Sequence, residues 1–308
     1  MPASSPRLAE SIPAARLLRH VVEATAHAER HSAAPGPSVR VLTAVAEALI
    51  DAGQLDTSRP LLDCALRIAI AQFGDDHPAA LTIRSDLASW LGEAGQVEEA
   101  VTQFRQLLDD QARVLGTDHP ETLLTRNNLA SWLSEAGQTE EAASQFRQLL
   151  DDWIRVLGTD HPDTLLTRNN LASCLGRGGH VEEAVTEFRQ LLDDEVRVLG
   201  ADHPDTLRTR SNVASWLGKS GQPGEAVIQF RRLLDDRIRV LGPDHRYALR
   251  TRGNLADWLG EAGQAEEAVA EFQRLLDDQV RVLGTDHPDT LTTESKLARW
   301  RERSSRST

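Results

Sequence analysis

Six histidines, His77, His119, His161, His203, His245 and His287, stand 42 positions apart, each directly after an aspartate. Histidine ligates metals through a neutral ring nitrogen and serves as an acid or base near neutral pH. Copies one repeat apart are too distant to share a metal, and each falls where a helix begins, so the ladder reads as structural. His20, His27 and His31 share one face of another stretch, the last two at the i,i+4 spacing of a metal pair. No H-E-x-x-H glutamate and no nearby cysteine completes a ligand set, so no metal and no cofactor is expected. Paired carboxylates recur as Asp109-Asp110, Asp151-Asp152, Asp193-Asp194, Asp235-Asp236 and Asp277-Asp278. Such pairs can do acid–base work. Arginines bracket them at i−4 and i+4, as in Arg105–Asp109–Arg113 and Arg189–Asp193–Arg197. A solvated helix face is expected, each ion pair contributing about 0.3–0.5 kcal/mol.

Nucleophile arrangements are absent from the pattern. Ser89, Ser131, Ser173 and Ser215 lie mid-helix with no strand-turn elbow or glycine-rich loop around them. Cys174 takes the place of a repeated tryptophan and reads as a small core residue. No catalytic residue is assigned, and the chain is expected not to be an enzyme. The asparagines are different. Asn128, Asn170, Asn212 and Asn254 share one repeat position, Asp86 takes it in an earlier repeat, and Asn127 and Asn169 precede two of them. Asparagine is a poor mid-helix residue, because its amide competes for backbone hydrogen bonds. One reason for repeating it is an inter-repeat ladder that orients adjacent helices.

The elements that carry these residues follow from the period. Turn glycines Gly53, Gly95, Gly137, Gly179, Gly221 and Gly263 keep the same 42-residue spacing. Six units result, 35–76, 77–118, 119–160, 161–202, 203–244 and 245–286, followed by a partial seventh. In unit 119–160, Asp118 is placed to cap a helix A with Pro120 and Glu121 in its first turn. Leu123, Leu129, Ala130, Trp132 and Leu133 recur at helical spacing, and Gly137 ends the helix. Helix B is expected over 139–157. In the preceding unit Val97, Ala100, Val101, Phe104, Leu107 and Leu108 lie on one apolar stripe of that helix. Neither helix can bury its stripe alone, so neighbouring pairs must stack. Ala100-x-x-x-Phe104 recurs as Ala142/Phe146, Ala184/Phe188, Ala226/Phe230 and Ala268/Phe272, a small residue for close approach beside a large one to fill space.

Composition narrows the function classes. The chain has 308 residues, 40% of them hydrophobic but only 4% aromatic, and a formal charge of −13. Nucleic-acid binding needs a net basic face, so no nucleic-acid partner is expected. No apolar run reaches the roughly 18 residues needed to span a bilayer, and the first 20 residues contain no secretory core. Two cysteines, Cys64 and Cys174, make no disulfide framework and fit a reducing, cytoplasmic setting.

The Leu-Ala string, turn glycine and Ala-x-x-x-Phe of this helix-turn-helix unit resemble the tetratricopeptide repeat. The 42-residue period, Asn-Asn-Leu-Ala at 127–130 and 169–172, and the Asp-His-Pro linker look like its kinesin light-chain-like subclass. The resemblance covers about 35–300. The chain departs where the common motif has tryptophan: Arg84, Arg126, Arg168, Arg210 and Arg252 stand there. Leu91, Leu133 and Leu175 replace the usual aromatic, with Trp90, Trp132, Trp216 and Trp258 one residue before that position.

The resemblance implies an all-α, right-handed alpha-alpha solenoid with helices A lining a concave groove. It implies a non-enzymatic scaffold binding a protein or peptide there. Asparagines of this kind hydrogen-bond an extended ligand's backbone, so the implied groove residues are Asn127, Asn128, Ser131, Asn169, Asn170, Ser173, Arg208, Asn212, Ser215, Arg250 and Asn254, with the ladder reading still open. Arg177, Arg208, Lys219 and Arg250 make the later helices A basic, while Glu93 and Glu135 make the earlier ones acidic, which predicts a ligand of matching polarity. Residues 12–31 read as an amphipathic helix similar to the one preceding such repeats in bacterial NB-ARC-type signalling ATPases, without their P-loop, which suggests a sensor part. The expected organisation is a tail and helix over 1–34, six units over 35–286, and a capping helix and tail over 287–308, where Arg299, Arg301 and Arg303 flank Leu297 and Trp300. The alternative is an architectural array that self-associates through its ends or convex face.

Overall fold

The computed structural model describes residues 36–51 and 53–306. The stretch 12–31 and its three histidines lie outside the described residues. Among those described there are thirteen α-helices and no strand. The A helices are α1 (Gly36–Asp51), α3 (Pro78–Glu93), α5 (Pro120–Glu135), α7 (Pro162–Arg177), α9 (Pro204–Lys219), α11 (Arg246–Glu261) and α13 (Pro288–Arg306). The B helices between them are α2 (Leu55–Phe73), α4 (Val97–Val114), α6 (Thr139–Leu157), α8 (Val181–Val198), α10 (Pro223–Leu241) and α12 (Ala265–Leu283). From α1 to α5 and from α7 to α13 consecutive helices pack together, and A helices of adjacent repeats also touch, α3 on α5 and α7 on α9. The architecture is an all-α repeat solenoid, whose contacts divide into two compact units between Gln145 and Phe146.

The histidine ladder starts the A helices. His119 is extended, with φ −68° and ψ 137°, and its Nδ1 accepts from the Glu121 N–H at 3.2 Å. His77, His161, His203, His245 and His287 repeat the bond to the second residue after each. The cap is therefore the histidine and not Asp118, because an unprotonated ring nitrogen is an acceptor placed as well as a carboxylate oxygen. The preceding aspartates do something else. Asp76, Asp160, Asp202 and Asp244 each take both nitrogens of an arginine late in the following helix B, Arg113, Arg197, Arg239 and Arg281, at 2.6–3.0 Å.

Helix A ends as its glycine dictates. Gly137 has φ 78°, and the Gln138 N–H returns to the Leu133 carbonyl at 2.9 Å, a turn closed over the last carbonyls. Within the helix pairs the small–large pattern is buried throughout. Phe104, Phe146, Phe188, Phe230 and Phe272 are at most 1% exposed, and the alanine four residues before each is fully buried.

A second close approach joins A helices of adjacent repeats. A Cβ built on Gly92, Gly176, Gly218 or Gly260 would fall 2.2–2.5 Å from the ring of Trp132, Trp216, Trp258 or Trp300 respectively. Only glycine leaves room for the indole. Ser134 holds the glycine's place in α5 and Cys174 the tryptophan's in α7, and both are buried.

Two stability measurements check these assignments. Gly260→Ala should lower the urea midpoint by about 1–3 kcal/mol equivalent, overpacking against Trp300 outweighing the roughly 1 kcal/mol helix-propensity gain. His161→Ala should cost about 1 kcal/mol as a lost cap, and His161→Asn should restore most of it. An unchanged midpoint for His161→Ala would remove the cap from the account.

Candidate functional site

The arginines that stand where the common motif has tryptophan are half-buried and bridge the two helices of a repeat. Arg84 reaches Asp110 at 2.8 Å, Arg168 reaches Asp194 at 2.7 Å, Arg210 reaches Asp236 at 2.7 Å, and Arg252 pairs with Asp278. The second aspartate of each pair also takes Arg113, Arg197, Arg239 or Arg281 three residues on, at 3.0–3.1 Å. The expected i±4 bracketing is thus replaced by a four-charge chain, such as Arg84–Asp110–Arg113–Asp76, that ties linker, helix A and helix B together. The hydrogen bonds from Arg84, then Arg113, hold Asp110 below the usual carboxylate range. At Asp236 burial pushes upward, and Arg210 and Arg239 together outweigh it. Carboxylates held ionised in this way are poor general acids; their work is structural.

The asparagines separate into two sets. Asn127 and Asn169 are only 7% exposed, whereas Asn128, Asn170, Asn212 and Asn254 are half-buried on the A-helix face. Asn212 donates to Asn169 Oδ1 at 2.9 Å across adjacent repeats, and Asn169 donates to Asn170 Oδ1 at 3.3 Å. One inter-repeat asparagine bond is therefore present in the second compact unit, with Asn170 and Asn212 half-buried. Ser131 and Ser215 donate to carbonyls four residues back, at 2.9 Å, while Ser173 is half-buried. Ser215 and Asn254 meet in a cleft of about 280 Å³, together with Lys219, Asp257, Trp258 and Glu261. Lys219 lies 4.0 Å over the Trp216 ring, and Lys296 pairs with Asp257 at 2.6 Å. Arg208 pairs with Asp205 at 3.0 Å, and the Arg250 guanidinium lies 5.0 Å from the Tyr247 ring. The face can offer amide donors and acceptors beside cations, which suits recognition. Among the described residues no group of three or more His, Cys, Asp or Glu is placed to hold a metal.

Comparison with known proteins places this geometry. A tetratricopeptide-repeat family profile matches residues 38–111 and 94–153, and a second profile of the same description matches 164–205, 206–247 and 248–289. The chain is a tetratricopeptide-repeat protein. Neither profile is that of a catalytic domain. A solved Podosopora anserina kinesin light chain-type protein with nearly identical TPR-like repeats is 28% identical, with TM-score 0.58, over 67% of this chain and 98% of that one. BtubC of P. vanneervenii shares the fold at 18% identity and TM-score 0.60, over 75% of this chain and 94% of that one. A Signal Transduction ATPase with Numerous Domains from Pyrococcus horikoshii, with a tetratricopeptide repeat sensor, shares it at 13% identity and TM-score 0.61. That match covers 92% of this chain and 40% of the ATPase. No curated protein matches significantly in sequence.

Against this repeat, two features escape a reading of the sequence alone. One helix-B position, occupied in turn by Ala69, Gln111, Trp153, Glu195, Arg237 and Gln279, is buried in every repeat although its chemistry changes each time. Gln111, Trp153, Glu195 and Gln279 each keep one buried polar atom without a protein hydrogen-bond partner, and burial raises the Glu195 carboxyl. The other is Tyr247, whose repeat reads His245-Arg246-Tyr247 where α7, α9 and α13 begin after His-Pro-Asp. Comparing the repeats position by position, rather than averaging them, is the signal that finds both.

In the 77–118 repeat Asp86 occupies the asparagine position, and its pKa is raised to about 6 by burial, then by Glu47 and Glu121. Its ionised form therefore disfavours the fold at neutral pH. The penalty appears as pH rises from the ordinary 3.8 through about 6 and is absent below that window. Asp86→Asn should stabilise the protein at pH 7 by on the order of 1 kcal/mol, after allowing for solvent screening. Urea titrations should show that gain shrinking to nothing by pH 4; a gain independent of pH would refute the assignment.

Proposed function

We propose that the chain is a non-enzymatic scaffold that binds a protein or peptide segment along its A-helix face. The observation that carries this reading is the half-exposed asparagine row, Asn170, Asn212 and Asn254, with Ser215 and Asn254 opening into a cleft. An amide side chain offers one donor and one acceptor edge, which matches the alternating backbone of an extended peptide. The ladder bond from Asn212 to Asn169 uses one donor and leaves the other edge for a ligand. Asn128, in the first unit, takes the same role beside Ser131.

Charge refines the partner. Glu93 and Glu135 make the earlier A helices acidic, whereas Arg177, Arg208, Lys219 and Arg250 make the later ones basic. A ligand of complementary polarity follows, with its acidic part on the second unit. No helix among the described residues is long and apolar enough to cross a membrane. We read the chain as the sensor part of a signalling system, a reading supported by the sequence pattern of 12–31 and the fold it shares with the P. horikoshii sensor. The free cysteines Cys64 and Cys174 support a cytoplasmic setting for it.

A second reading is self-association through the B helices. Val156, Val198, Val240 and Val282, one per repeat, are 37–39% exposed on the last turn of each, a periodic apolar row.

Capture from native lysate separates the two. Changing Asn128, Asn170, Asn212 and Asn254 together to Ala should abolish capture of a specific protein while circular dichroism stays helical. Arg208→Glu with Arg250→Glu should weaken the same complex at least about tenfold, since two charge-assisted contacts are reversed. If capture survives both variants and sedimentation shows assemblies that Val198→Lys dissolves, the self-association reading replaces this one.

A further inference from the structure

The groove bounded by α2, α3 and α4 is built differently from its counterparts in later repeats. Its floor includes Leu87 and Leu91 of α3, which are half-buried. Their equivalents one repeat on, Leu129 and Leu133, are 5% and 0% exposed, and those of the three repeats after are at most 7% exposed. The difference lies in what covers them. In the second compact unit Val227 shares one core cluster with Leu255 and Leu259, the leucines at the same two positions. Val101, Ala143 and Val185 hold the valine's place in other B helices and are 5–7% exposed. In α2 that place belongs to Arg59, whose guanidinium lies 4.7 Å over the Trp90 ring and pairs with Asp63 at 3.2 Å. The leucines are left beneath an open groove of about 990 Å³.

The charges around the groove differ as well. Later B helices are clasped to the next by an ion pair, Arg105 to Glu141 at 2.9 Å, Arg147 to Glu183 at 3.5 Å and Arg231 to Glu267 at 2.5 Å. In the first groove Asp63 holds the arginine's position and Glu99 the glutamate's, so two acids stand where later repeats have a pair. Glu99 accepts from the Gln103 amide at 3.2 Å, a neutral partner, and Asp75 and Glu98 add negative charge to the lining. The two arginines of the lining are engaged elsewhere, Arg59 as described and Arg84 with Asp110 at 2.8 Å. Arg59 and Asp63 lie one helical turn apart. Both depart from the later repeats in the same way, by lacking what would close the groove: an apolar side chain and, four residues on, a cation.

We infer that this groove docks a basic amphipathic helix of a protein partner, which supplies both of the groups that close the later grooves. An apolar side chain of the partner enters over Leu87 and Leu91, and an arginine or lysine one turn on reaches Glu99. The partner's chemistry is written in the chain's own repeats, where Val101-x-x-x-Arg105 and Val185-x-x-x-Arg189 fill the corresponding place. A leucine floor accepts the apolar face of a helix, and the acidic lining selects the charge beside that face. None of the asparagines lines the groove, so the inference does not rest on the proposed A-helix ligand.

The test titrates the full-length protein against a fluorescein-labelled, alanine-based helical peptide that carries leucine and, four residues on, arginine in two successive turns. Fluorescence anisotropy should show saturable binding. Arg59→Val with Asp63→Arg installs residues that the later repeats already fold with, and it closes the groove. Binding to that variant should weaken at least about tenfold while circular dichroism stays helical. Glu99→Lys should weaken it comparably, and a peptide with glutamate in place of arginine should not bind. No saturation, equal affinity for the Arg59→Val, Asp63→Arg protein, or equal affinity for the glutamate peptide overturns the inference. Two other occupants would overturn it too. Binding that appears only after Leu17→Asp with Leu18→Asp gives the groove to the chain's own stretch 12–31. A dimer in sedimentation that Arg59→Val with Asp63→Arg dissolves gives it to a second copy. The asparagine variant should bind the peptide unchanged, so this inference and the A-helix reading fail separately.

Discussion

Helices α4, α6, α8, α10 and α12 each carry an alanine and, four residues on, a phenylalanine that can leave water only between neighbouring helices. Five such phenylalanines are at most 1% exposed, and the alanine before each is fully buried. One helix pair has too little apolar surface on its own to bury these residues, so the fold exists only as a stack. The remaining features adjust that stack. Histidine caps fix where the A helices from α3 onward start, a left-handed glycine fixes where those before α13 stop, and the arginine–aspartate chains hold the linker to both helices. Those chains are largely solvent-exposed and contribute orientation more than stability.

The arginine at the motif's tryptophan position and the tryptophan elsewhere in the helix form one arrangement. With Arg84, Arg168, Arg210 and Arg252 turned to aspartates of helix B, the large aromatic is needed at another contact. It is used between A helices, where Trp132, Trp216, Trp258 and Trp300 lie over glycines. The absence of a Cβ at those glycines permits the approach, and the indole fills what would otherwise be a void. A departure from the common motif is thereby compensated within the same helix.

Period, helix boundaries and the small–large core pattern are all legible in the sequence, because they are local and repeated six times. The cap is harder to assign within Asp-His, since imidazole is less often read as an acceptor than carboxylate, and the structure gives it to the histidine. The aspartate pairs mislead for a different reason. Asp110 finds Arg84, 26 residues earlier, and Arg113 finds Asp76, 37 residues earlier, so helical spacing alone points at the wrong partners. The asparagine bond from Asn212 to Asn169 likewise joins residues 43 apart. Arg237 is invisible in the sequence because an arginine in a polar-looking helix is ordinarily solvated, and only the fold shows that it is buried.

A chain of near-identical units supplies its own control. Where a position must be apolar or small for stacking, every repeat obeys, as the phenylalanines do. Where a position is buried yet changes from Ala69 to Gln111, Trp153, Glu195, Arg237 and Gln279, stacking imposes no particular chemistry there. A costly residue at such a site, a buried guanidinium with only neutral acceptors, is then not explained by the fold that tolerates it. Around Arg237, Arg246 stands where other repeats have proline and Tyr247 where they have alanine or an acid, while Arg250 repeats the arginine of Arg208.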